Sequence, residues 1–174
     1  MSASNARDPV VDLLAKQTIT EVIYRYCRGL DRMDREMALS VWHADGTADY
    51  GEYYRGTGAG FVDWVWGSHA AFERHSHQIT NILIELRDED HAVSEAYVTA
   101  ALRQRTADGR VVDITSRGRY IDRWSCRDCR WAIDHRINVG DIQTVRTSSA
   151  DVADDSASTA RRDRDDPSYA VFGN

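Results

Sequence analysis

The chain has 174 residues and a mass of 19.7 kDa, with 42% hydrophobic and 29% charged side chains, which fits one globular domain with a real core. Its net charge is −6 and its pI about 5.5, with both signs interspersed, so no phosphate-binding surface and no nucleic-acid partner are expected. No apolar run reaches the roughly 18 residues a membrane helix needs and the N-terminus does not read as a signal peptide, so a cytoplasmic protein without a membrane partner is expected.

Residues 9–30 place Val11, Leu14, Ile19, Val22, Ile23, Tyr26 and Leu30 at helical spacings, with Asp8 as N-cap and Pro9 at the first helical position. A short second helix fits 35–43, capped by Asp34. Residues 47–56 read as a hairpin around Gly51, and 57–75 as a third helix carrying Phe61, Trp64 and Phe72. From residue 76 the period changes, and four long strands follow, separated by the turn signals RDED, TADG and CRDC. Helices followed by an antiparallel meander predict an α+β fold, and a curled sheet over helices leaves a cavity between the layers.

Composition shifts near residue 146, so residues 8–145 are read as the folded domain and 146–174 as a polar, flexible C-terminal tail. Only Tyr169–Phe172 in that tail has the apolar character to dock, over the cavity mouth or on a neighbouring subunit. Strands such as YVTAAL and VVDITS are too apolar for water on both faces, which predicts a homodimer or homotrimer.

Three cysteines are present, and Cys126 and Cys129 form a C-x-x-C without a second pair at zinc-finger spacing. A hairpin tip is the better reading, with structural zinc or redox chemistry the lesser one.

The chemistry concentrates in HSHQITN, residues 75–81. Strand alternation puts His75, His77, Ile79 and Asn81 on one face and Gln78, Thr80, Ile82 and Ile84 on the other. A partner lies at the end of the first helix in YRYCRGLDRMD: Asp31 sits where a helix C-terminus repels a carboxylate, so it needs a compensating cation or donor. A lone strand histidine is more often structural, and Asp31 alone is more often a solvated loop residue; the two together change that balance. An H-x-H pair with Asp31 would also offer three ligands to a catalytic zinc, which stays open as an alternative.

YCRGLDRMD and the H-x-x-x-N of HQITN, in this order of elements, resemble the SnoaL-like branch of the nuclear transport factor 2-like superfamily across residues 8–143. The resemblance implies a cone of three helices packed in a curved antiparallel sheet, and a catalytic Asp31–His77 dyad like that of bile-acid and scytalone dehydratases and lindane dehydrochlorinase. By the same resemblance Tyr26 and Tyr50 act as phenolic donors and Arg136 lines the pocket. Gln104 and Ala100 stand where relatives carry a second histidine and an additional aspartate. Asn81, Trp64, Tyr54 and Phe61 complete the expected lining for a flat, ring-bearing, largely apolar substrate, although ordinary core packing also explains most of the aromatics.

The expectation is therefore a cofactor-independent lyase, most concretely a dehydratase of a hydroxylated steroid-like or other polycyclic substrate. An isomerase or polyketide-cyclase-like enzyme using the same base, and a non-catalytic binding or assembly module of the same fold, are the alternatives.

Overall fold

The structure is a computed structural model that describes residues 8–149 and 160–172. The first helix, α1 (Pro9–Asp31), starts where expected: the Asp8 carboxylate accepts the Val10 amide and Pro9 occupies the first turn. Its inward stripe is Ala15, Ile19, Val22, Ile23, Tyr26, Cys27 and Leu30. Met33 turns the chain with φ of 51°, and Asp34 then caps α2 (Arg35–Ser40) by accepting the Met37 amide at 3.1 Å. Gly29 lets the two helices meet, because a Cβ there would lie 2.8 Å from the Ala38 nitrogen.

The strand β1 (Trp42–Asp49) and β2 (Arg55–Thr57) form the expected hairpin, but β1 begins inside the segment read as helix. The Ile133 amide bonds the Val41 carbonyl and β1 runs parallel to the last strand, so tertiary pairing overrides a weak local helical pattern. The helix α3 (Gly58–His69) is capped by the Thr57 hydroxyl and stops short of the expected residue 75, since β3 (Arg74–Leu86) already pairs with β4 from Arg74 onward.

The long strands β3, β4 (His91–Arg105), β5 (Val111–Arg127) and β6 (Arg130–Ser148) make the antiparallel meander. The full sheet has the order β2-β1-β6-β5-β4-β3, so one parallel pair, β1–β6, joins an otherwise antiparallel sheet. Register shifts within β5–β6 and β3–β4 add twist, and the curved, unclosed sheet holds the helices on its concave side. Apolar side chains of α1 and α3 share one core with Ala96, Val98, Tyr120, Trp124 and Ile133 of the strands.

The tail boundary differs from the expectation at both ends. β6 continues to Ser148 because it stays paired with β5 as far as Val111. Residues 160–172 lie against the helices and end in α4 (Pro167–Phe172), while the intervening part of the predicted tail falls outside the described residues. Tyr169 is buried and its hydroxyl donates to Asp34 at 2.8 Å; Asp166 pairs with Arg32 at 3.2 Å; Arg162 donates to the His69 carbonyl at 2.6 Å. The apolar end thus docks on the helices, held by charged groups that composition alone does not pair. CRDC forms the β5–β6 turn, with Asp128 and Cys129 at positive φ and all three cysteines free.

Candidate active site

Asp31 is the last residue of α1 and faces β3. Its Oδ1 accepts the His77 ring through Nδ1 at 2.7 Å, and its Oδ2 accepts the His77 backbone N–H at 2.9 Å. One strand residue therefore holds both carboxylate oxygens. Nδ1 as donor fixes the imidazole tautomer and leaves Nε2 as its lone-pair nitrogen. Side-chain exposures of 13% for Asp31 and 5% for His77 make the pair buried but not sealed. Burial alone would raise the Asp31 carboxyl; hydrogen bonds from His75 and His77 outweigh it and hold the group below the usual carboxylate range.

His75 also belongs to this cluster. Its side chain is fully buried, its Nδ1 lies 3.4 Å from the same Asp31 Oδ1, and its Nε2 is buried without a hydrogen-bond partner among the described residues. The His69 ring, from the end of α3, lies with its centroid 4.8 Å from that of His75 and 6.2 Å from that of His77. Burial pulls His75 down against the raising effect of Asp31, and burial with neighbouring His75, His77 and Arg162 lowers His69 to about 3. Both are neutral imidazoles at pH 7.

A cleft of about 280 Å³ opens between α1 and β3, lined by Tyr24, Cys27, Arg28, Asp31, Arg32, His77 and Ile79. A signal for these residues is present in the sequence: Tyr24, Arg28 and Arg32, and Cys27 with Asp31, recur every four residues and share a helix face. Cys27 is no nucleophile, since burial pushes its thiol up to about 12. A larger hollow of about 790 Å³ lies at the ends of β3 to β6, where Arg103 and Asp113 form a bidentate pair. It borders His75 but not Asp31 or His77, so size does not locate the chemistry here.

The other expected site residues gather elsewhere. Arg136 is fully buried on β6, bonds Asp122 of β5 through two 2.7 Å contacts, and lies over the rings of Tyr26 and Tyr120 at 4.4 and 4.1 Å. Asp122 and Arg136 are register partners, so the pair is built by strand alignment. The Tyr26 and Tyr50 hydroxyls lie 2.9 Å apart, and Tyr50 stacks on Phe61 with centroids 4.1 Å apart. Burial holds both phenols protonated, Tyr50 rising to about 12 and Tyr26 well above its ordinary value.

The structure brings Asp31 to His77 and Tyr26 to Tyr50, but neither phenol lines the cleft that the dyad lines. Tyr26 points to the sheet interior because it is five residues, not four, from Asp31 on the helix. Phe61 is core, and Tyr54 and Trp64 pack around it, with the Tyr54 hydroxyl donating to the Thr57 carbonyl. Asn81 is exposed at a bulge with φ of 49°. The extra residue returns Ile82 and Ile84 to the core face and puts Asn81 outside the alternation that assigned it to the pocket.

The solved structures most informative for this arrangement share the fold. A putative scytalone dehydratase from Novosphingobium aromaticivorans DSM 12444 aligns with a TM-score of 0.71 at 22% identity, covering 82% of this chain and 96% of that one. A type 2 hexachlorocyclohexane dehydrochlorinase aligns with a TM-score of 0.70 at 14% identity, covering 80% and 93%. A variant of a protein of unknown function from Mycobacterium tuberculosis aligns at 0.60 with 23% identity, covering 92% and 91%. No curated protein matches the chain by sequence. The SnoaL-like domain family matches residues 11–137, spanning α1 through most of the sheet and including both members of the dyad, and the chain belongs to that family.

Proposed function

We propose that the protein is a cofactor-independent lyase, most concretely a dehydratase acting on a hydroxylated, ring-bearing substrate of the polycyclic or steroid-like kind. The observation that carries this reading is the 2.7 Å Asp31–His77 contact beside an open cleft. His77 Nε2 takes the proton from a C–H next to an electron-withdrawing group. Asp31 stabilises the imidazolium that forms. The electron pair of the broken C–H bond becomes the new C=C bond as the C–O bond on the adjacent carbon breaks. The imidazolium proton goes to the departing oxygen, so water leaves and His77 returns to its neutral state. One base suffices when the hydrogen and hydroxyl leave from the same side of the ring. The cleft is small but open, so one ring enters while the remainder projects outward. Similarity in fold to a dehydrochlorinase supports elimination with a different leaving group as the nearest variant.

Mass spectrometry on a panel of hydroxylated keto-steroids and other polycyclic alcohols tests the reading. Loss of 18 mass units with wild type and not with His77→Ala supports it; equal product from both removes His77 as the base.

A second reading rests on Asp31, His75 and His77, whose candidate ligand atoms all lie within 4.8 Å of one another. A divalent cation there would displace the dyad's own hydrogen bond, so turnover that survives exhaustive chelation excludes it. Exposed Leu83, Tyr97, Ile137 and Ile142 support self-association, which light scattering on the purified protein tests.

A further inference from the structure

Two arginines line the cleft beside the dyad, and the C-terminal segment treats them differently. Arg32 is neutralised by Asp166 at 3.2 Å. Arg28 makes no side-chain hydrogen bond or ion pair with any described residue. Its guanidinium lies over the rings of Tyr169 and Phe172, at 4.9 and 4.8 Å from their centroids, and its Nη2 is buried without a partner. A positive charge in the last turn of α1 also suits the helix end, but that requires neither two aromatic rings around it nor a place in the cleft wall.

We infer that Arg28 is a specificity residue that binds a carboxylate on the substrate, and that Tyr169 and Phe172 hold its guanidinium in position. The reaction site would then take a ring-bearing carboxylic acid. Arg28 and Asp31 are three residues apart on the helix, a spacing that brings side chains within about 5–6 Å, and Arg28 lines the same cleft as His77, so carboxylate and reacting carbon share one site. With Nη2 shielded, the carboxylate is held by an N–H of the remaining guanidinium nitrogens and by the group's permanent charge. A doubly charged phosphate is disfavoured, because Asp31 holds a negative charge in the same wall. The substrate class rests on the lyase reading; the anion site does not.

The test is calorimetric titration of the intact protein with 1-naphthylacetate and with its uncharged counterpart, 1-naphthylacetamide, at low salt. The expected result is at least tenfold tighter binding of the acid by wild type. Arg28→Met, which keeps a long apolar stem, should cut that preference below threefold and leave amide binding in place. Phe172→Ala, on an exposed side chain, should give an intermediate preference even if Arg28→Met folds poorly. Equal binding of acid and amide by wild type, no binding of either at millimolar concentration, or an unchanged preference in both variants overturns the inference. A preserved acid preference with no lyase turnover on any ring-bearing acid would sink the lyase reading and leave the anion site standing.

Discussion

The Asp31–His77 cluster and the Arg136–Asp122 cluster both sink charged side chains into an apolar shell, yet they are completed differently. Around Arg136, both strong contacts are to one carboxylate and tyrosines cover the flat faces of the guanidinium; its Nη1 is buried without a partner among the described residues, but none of these groups lines the cleft beside the dyad. Around Asp31, the carboxylate is satisfied but the imidazoles are not: His77 keeps a lone pair beside the cleft, and His75 keeps a buried nitrogen with no partner. A cluster sealed away from the cleft has no route by which to exchange a proton with a ligand and serves the fold. An incomplete set with one side open is where a proton can move.

Substitutions in the two clusters should therefore diverge in what they damage. The largest effect is expected in turnover, where His77→Ala should cost about 10²–10⁴-fold in kcat, the usual contribution of a positioned base. Asp31→Asn should fall near it while the protein remains folded. Asp122→Ala should instead act on stability, by about 3–5 kcal/mol in urea unfolding, because it strands a buried guanidinium. An Asp122→Ala protein as stable as wild type would mean that the second cluster is not sealed as described.

Acid should separate the clusters next. His69 has a folded-state value of about 3 against an ordinary 6.5, so the unfolded chain binds the proton first. Its contribution is fully present above pH 6.5 and is lost progressively as pH falls toward 3, at up to about 1.4 kcal/mol per unit. His69→Phe should flatten the acid side of the stability–pH curve by about 2–3 kcal/mol at about pH 4.5, leaving the smaller share from His75 and Asp31. An unchanged slope would show that His69 is hydrated. The smallest effect belongs to Tyr169→Phe, which deletes the hydroxyl bond to the Asp34 carboxylate and should cost about 1.5 kcal/mol in urea unfolding.

The order of elements and the dyad are legible because their signals are local or rest on motif spacing. Asp8–Pro9 starts α1, Asp34 starts α2, CRDC turns β5 into β6, and period-two alternation already puts His75 beside His77. What cannot be read depends on partners distant in sequence. Trp42 and His43 enter a strand only because β6 runs alongside. Arg136 looks like a pocket residue until register sets Asp122 against it. Asn81 breaks the alternation, and its tolerance of positive φ is the one hint available. Arg28 carries no local mark, because its significance comes from Tyr169 and Phe172, more than a hundred residues away.

The parallel union of β1 with β6 also has a consequence for the order in which the chain can assemble. The hairpins from β3 to β6 join neighbours in sequence and can form as soon as each turn closes. β1 must wait for a strand some 88 residues downstream, since Thr47 pairs with His135. During synthesis the helices that carry Asp31 therefore emerge well before the surface they bury against is finished. A nascent chain stopped before β6 leaves β1 without its sheet partner and α1 without part of its cover, which makes that interval one in which the protein needs a chaperone.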